Sequence, residues 1–105
     1  STARLLQFLG YRTLDAEDGP SGLRVFGEHM ARVSGVVLDL TMPGMNGHEV
    51  FRELRARDPR LPVVIISGYS DADVSALLAA DRAVFLPKPF SIDALRGALT
   101  RVEAS

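Results

Sequence analysis

Apolar residues recur along this chain with two periods, one helical and one of short continuous runs. Residues 1–9 place Leu5, Leu6 and Leu9 on one side of a helix, with Gly10 as its stop. Residues 11–16 (YRTLDA) are a short strand candidate, followed by a turn at Glu17, Asp18, Gly19 and Pro20. Ser21 can cap a second helix running to about Met30, with Leu23, Phe26 and Met30 as its core stripe. Residues 33–40 contain the apolar run Val36, Val37, Leu38, which ends in Asp39. A third helix over 47–58 turns Val50, Phe51 and Leu54 inward and Arg52, Glu53, Arg55 and Arg57 outward. Pro59 and Pro62 lead into Val63, Val64, Ile65 and Ile66, the most strand-like run present, which stops at Ser67 and Gly68. A fourth helix is expected over 70–80 with Val74, Leu77 and Leu78 inward, then a last strand over 83–86. Ser91 caps a final helix carrying Ile92, Leu95, Leu99 and Val102 on one face.

Alternation of helices with near-continuous apolar strands indicates an α/β fold, a doubly wound parallel sheet with helices on both faces. In such a sheet the carboxyl ends of all strands share one edge, where ligands bind. The stretch 35–47 (GVVLDLTMPGMNG) sends Asp39 to that edge and follows it with turn formers. Asp39 is therefore either a site residue or the cap of a turn.

Composition narrows the function. The 105 residues suit one small domain. A formal net charge of -1 argues against a nucleic-acid or anionic-membrane binder, which needs a basic excess. The absence of cysteine excludes disulfides, thiolate metal sites and cysteine nucleophiles. No apolar run is long enough to span a bilayer, and no direct membrane contact is expected. The arginines of the third helix alternate with acids, so a solvated face explains them better than a binding patch.

Asp39, Ser67 and Lys88 each fall at or just beyond the end of a different strand. A carboxylate, a hydroxyl and an ammonium can thus converge from distant parts of the chain. That set suits a phosphoryl group, with the acid as nucleophile and the other two binding phosphoryl oxygens. Taken singly, Ser67 could be a helix cap and Lys88 a solvated lysine.

The segments VVLDLTMPGMNG, IISGYS and FLPKPF, in this order and spacing, resemble the receiver domain of two-component response regulators. The resemblance extends over essentially the whole chain, including LLQFLGY and AEDGPSGL, and covers residues 1–105 as one receiver domain. It implies a flavodoxin-like (CheY-like) sheet. It also implies that Asp39 is the phosphoacceptor for a phosphohistidine, Ser67 the switch hydroxyl and Lys88 the lysine pairing with the phosphoryl group. The backbone carbonyl of Thr41 matches a ligand of Mg2+, alongside Asp39 itself, and Phe85 matches the aromatic switch. Thr41 and Tyr69 match positions that tune phosphate lifetime, Gly68 leaves the approach to Asp39 open, and Lys88-Pro89 matches a cis bond at Pro89. His29 and His48 match nothing functional.

The chain departs from the pattern at its start. Family members begin with a strand ending in an acidic pair that holds Mg2+, and this sequence opens inside the first helix. Asp15, Glu17 and Asp18 are in the wrong register to replace that pair. The missing strand belongs between 11–16 and the strand at Val36, so an N-terminally truncated receiver, or one that borrows a strand, is expected to bind Mg2+ weakly.

The resemblance is strongest to receivers at the C-terminus of bacterial hybrid histidine kinases. It implies a cytoplasmic signalling domain that is not itself a stand-alone enzyme. Its expected partners are a histidine kinase or phosphotransfer domain, and a downstream protein met by the face that the fourth helix, last strand and final helix make over 70–102. A degenerate, non-phosphorylated interaction module is the alternative. An aspartyl-nucleophile phosphohydrolase is disfavoured, because haloacid-dehalogenase-like enzymes place a second Asp where Thr41 stands.

Overall fold

The computed structural model describes residues 1–42, 46–68 and 82–104. Its centre is the β-branched run that the pattern singles out. Val63, Val64, Ile65, Ile66 and Ser67 are all buried, so this segment is covered on both faces. Strand β1 (Val36–Asp39) and strand β3 (Ala83–Pro87) flank it as β2 (Val63–Ser67), all three parallel, in the order β1-β2-β3. Leu38 stands opposite Ile65 and Ile65 opposite Phe85, while Ser67 pairs with Pro87 at the carboxyl edge.

Alternation along the strands divides the core in two. Val63 and Ile65 pack with Phe26, Val50, Phe51 and Leu54, which come from α2 (Gly19–His29) and α3 (Gly47–Arg57). Val64 and Ile66 pack with Leu95, Ala98, Leu99 and Val102 of the last helix, α4 (Ile92–Ala104). Leu5, Leu6 and Leu9, in and just after α1 (Thr2–Phe8), join that second cluster only partly buried. Parallel strands require such crossover helices, and helices on both faces follow.

Local signals set most of the boundaries. The Ser1 hydroxyl accepts the Arg4 N–H and starts α1, and Gly10 ends it with φ 99°, open to glycine at no steric cost. The Asn46 side chain accepts from Glu49, and the Ser91 hydroxyl from Ala94, capping α3 and α4. A short 3-10 turn (Met30–Arg32) follows α2. No helix among the described residues is long and apolar enough to cross a membrane.

Several expectations are corrected. Helix α2 is capped by Asp18, whose carboxylate accepts the Ser21 N–H at 2.8 Å; Ser21 lies inside the first turn, not at the cap. The helix begins before Ser21, at Gly19, and Pro20 suits its opening turn. Met30 is 41% exposed and leaves the core stripe to Leu23 and Phe26. Arg55 does not point to solvent. Its guanidinium donates to the carbonyls of Leu61 and Arg82 and lies 5.0 Å over the Phe51 ring. The helix expected over 70–80 lies outside the described residues.

The strand expected over 11–16 does not form: these residues belong to no helix or strand and pair with no described strand. They are held by the preceding helix and by α4. The Tyr11 N–H donates to the Leu6 carbonyl, Gln7 donates to the Thr13 hydroxyl, and the Tyr11 hydroxyl donates to Glu103 at 2.9 Å. Burial, reinforced by the Glu103 carboxylate, pushes the Tyr11 phenol above its ordinary value. A cleft of about 860 Å³ is lined by 11–16 and by β1. Among the described residues no strand lies within ladder distance of this segment, consistent with a sheet lacking the strand between them.

Candidate functional site

The end of β1 delivers Asp39 to the carboxyl edge, and β3 runs directly into Lys88. The N–H of Lys88 donates to the Ser67 carbonyl at 2.8 Å, which fixes the lysine backbone to the end of β2. From there Nζ reaches 3.0 Å from Asp39 Oδ2. Three strand ends thus meet, and two of the three expected side chains, Asp39 and Lys88, are in direct contact.

The third expected side chain behaves otherwise. Ser67 is fully buried, and its hydroxyl donates to the Gly68 carbonyl at 3.2 Å. It stands at the edge of the site with its polar group directed to neighbouring backbone. A Cβ at Gly68 would meet nothing within 4 Å, so the approach there is open with or without a glycine. Phe85 is half-buried on β3, opposite Ile65. The Lys88-Pro89 peptide bond is cis. Tyr69 lies outside the described residues.

Thr41 has a side-chain part that the sequence did not disclose. Its hydroxyl accepts from Lys88 Nζ at 2.8 Å and donates to Asp39 Oδ1 at 2.6 Å, while its N–H donates to the same oxygen at 2.9 Å. Both carboxylate oxygens of Asp39 are therefore engaged, Oδ1 by Thr41 and Oδ2 by Lys88. The available signal was the Asp-x-Thr spacing, because an Asp side chain commonly accepts from the backbone two residues on.

These contacts set the charge state. Partial burial pushes the Asp39 carboxyl up; the Thr41 hydroxyl and amide, followed by the Lys88 ammonium, outweigh burial and hold it below the ordinary carboxylate value. Asp39 is thus an anion at neutral pH. Its side chain is 21% exposed and that of Lys88 42%, so a phosphoryl donor can reach both from solvent.

The described residues do not make a magnesium site by themselves. Mg2+ takes near-octahedral oxygen ligands, usually with one or two carboxylates. No cluster of three His, Asp or Glu occurs among the described residues. Asp15 and Asp18 line the same cleft as Asp39, but Asp18 is spent on capping α2. Among the described residues no second carboxylate joins Asp39 in a cluster.

Comparison with known proteins agrees with this geometry. The sensor kinase CckA of Brucella abortus is 39% identical over 93 residues, which are 88% of this chain and 10% of that protein. The chain also spans under half of the response regulator MprA of Mycobacterium sp. (strain KMS), being 36% identical to it over 90% of this chain and 41% of that one. Among solved structures, the receiver domain of a Pseudomonas aeruginosa sensor histidine kinase, with a magnesium ion coordinated in its active site cleft, superposes with a TM-score of 0.80. It is 27% identical over 99% of this chain and 86% of that one. The model of the response regulator receiver domain matches residues 1–100. The chain therefore belongs to the response regulator receiver domain family of two-component signalling.

Proposed function

We propose that Asp39 accepts a phosphoryl group from the phosphohistidine of a histidine kinase or phosphotransfer domain. Receiver domains interact with such proteins. The observation that carries the proposal is the 3.0 Å pair of Lys88 and Asp39 at adjoining strand ends. An Asp39 oxygen attacks phosphorus, and the phosphorus–nitrogen bond breaks. The imidazole nitrogen leaves with the bonding pair and is reprotonated, and an acyl phosphate forms.

The residues at hand supply charge and position, the main demands of phosphoryl transfer. For attack, the Thr41 hydroxyl has to release Oδ1, or Lys88 has to release Oδ2. Lys88 then pairs with the phosphoryl oxygens as charge moves onto them. Ser67 is the nearby hydroxyl that can turn toward the new group. Phe85 would follow it and reshape the surface over 70–102, a two-state element biased by phosphate. Thr41 and Tyr69 would govern how long the phosphate survives. With one carboxylate at the site, Mg2+ affinity is weak compared with receivers that carry the acidic pair. Likeness to CckA, a sensor kinase whose receiver domain is that of a hybrid histidine kinase, supports a place within such a kinase, and a cytoplasmic location goes with that reading.

The test is intact-mass spectrometry after acetyl phosphate and Mg2+, beside Asp39→Asn. One adduct, absent from the variant, is expected. A folded chain that takes none at saturating Mg2+ would overturn phosphorylation of residues 1–105 alone. Repeating the assay with upstream residues restored would then decide between a truncated receiver and the interaction module.

A further inference from the structure

Gly47 opens α3 with a φ outside the left-handed region, so the backbone there does not call for glycine. Glycine is also a poorer helix former than alanine. The reason for it lies across the loop from β1. A Cβ at Gly47 would overlap the Leu40 Cδ2 methyl and stand 3.3 Å from Leu40 Cγ. Leu40 is the residue between Asp39 and Thr41, whose hydrogen bonds through Oδ1 form one side of the site.

Leu40 is anchored twice. Its N–H donates to the Ile66 carbonyl at 2.8 Å, which ties its backbone to β2. Its side chain packs, partly buried, against the core cluster that includes Val50 and Leu54 of α3. Helix α3 is itself fixed at its start. There the Asn46 side chain accepts the Glu49 N–H at 3.1 Å and the Asn46 carbonyl accepts the Val50 N–H at 3.0 Å. The seat between β1 and Gly47 is thus bounded on both sides, and Asp39 and Thr41 flank the residue that fills it.

We propose that Gly47 is a positioning residue for the nucleophile, an inference that deepens the phosphoacceptor reading of Asp39 and rests on it. By leaving room for Leu40, Gly47 fixes the turn Asp39-Leu40-Thr41. That turn keeps the Thr41 hydroxyl and N–H on Oδ1 and leaves Oδ2 to Lys88. Gly47 touches no reacting atom and acts through Leu40. A side chain at 47 pushes Leu40 back, and the carboxylate moves with it relative to Lys88. Where geometry carries catalysis, a displacement of about 1 Å costs up to about a hundredfold in rate.

A purely structural part for Gly47 makes a different forecast. Were the Leu40 side chain simply to turn aside, it would leave a void beside Val50 and Leu54. The loss would then fall on stability and not on the site.

The test uses the chain 1–105 with Gly47→Ala, Leu40→Ala and the double variant Leu40→Val/Gly47→Ala, which removes one methylene and adds one. Three quantities are read: the rate of adduct formation from acetyl phosphate and Mg2+, the urea midpoint, and the Thr41 amide proton by NMR. Gly47→Ala should form the adduct about tenfold or more slowly, with a urea midpoint close to the parent's. Its Thr41 amide proton should move upfield as it leaves the carboxylate. The double variant should return to within about threefold of the parent rate, because the shorter side chain at 40 clears the new methyl. Should Gly47→Ala fail to fold, Leu40→Ala empties the same seat without overlap and should show the same amide shift. The proposal is overturned by an unmoved Thr41 amide, by a rate loss that merely follows lost stability, or by a double variant no faster than Gly47→Ala. A parent chain that takes no phosphoryl group sinks the phosphoacceptor reading instead. The amide shift needs no phosphate and still decides whether Gly47 positions Asp39 and Thr41.

Discussion

The hydroxyl of Thr41 stands between the two charges of the site, accepting from Lys88 at 2.8 Å and donating to Asp39 at 2.6 Å. The nucleophile is thereby held as an anion, with each oxygen occupied before any phosphoryl donor arrives. Several expected outcomes follow from that arrangement.

Thr41→Ala removes the bridge and leaves the amide and Lys88 contacts. The Asp39 carboxyl should rise toward its ordinary value, observable by carbon-13 NMR titration of the carboxyl. Global stability should fall by about 1 kcal/mol, a modest loss for two hydrogen bonds because both are exposed and water replaces the hydroxyl. An unchanged titration would mean that the hydroxyl does not engage Asp39 in solution.

Lys88→Ala deletes the ammonium that balances developing charge. Adduct formation from acetyl phosphate should slow by roughly a hundredfold or more, the usual cost of removing one electrostatic stabiliser. The variant should remain folded by circular dichroism, since the Lys88 side chain is 42% exposed. A rate within a few-fold of the parent would remove lysine from the mechanism.

Asp39 also links stability to acid. Its carboxyl is lower in the folded chain than in the unfolded one, where it lies near about 3.9. Its contribution is therefore complete above that pH and is lost as pH falls through the lower folded value. Urea unfolding of the parent and Asp39→Asn at neutral pH and near about pH 3 should show a steeper acid loss in the parent. Parallel slopes would contradict the lowered carboxyl.

Arg55 is a structural prediction away from the chemistry. Arg55→Ala removes charged hydrogen bonds to the Leu61 and Arg82 carbonyls and the contact over Phe51. A loss of about 2–3 kcal/mol in denaturant unfolding is expected, because buried carbonyls lose a charged donor. Arg52→Ala, on the exposed face of the same helix, should cost under about 0.5 kcal/mol.

Much of the site was legible because it sits where local patterns end. Each apolar run announces a strand, and the residue after it, Asp39, Ser67 or Lys88, is then assigned to one edge by parallel topology alone. Thr41 was matched to a family position, but its bridging hydroxyl depends on how a lysine from β3 reaches over β1. Arg55 looked solvated because its neighbours in sequence are charged, whereas its partners are carbonyls on segments remote along the chain. Ser21 looked like a cap until the nearby Asp18 carboxylate took that place.

The chain's own periodicity determined the helices among the described residues, the three paired strands and the strand ends that carry the chemistry, because hydrophobic alternation, caps and turns act over a few residues. Only the tertiary structure decided that 11–16 would join no ladder among the described strands, and that Asp39 would have both oxygens engaged. A strand needs a neighbour and a side chain needs a partner, and both are supplied by parts of the molecule that local sequence does not specify.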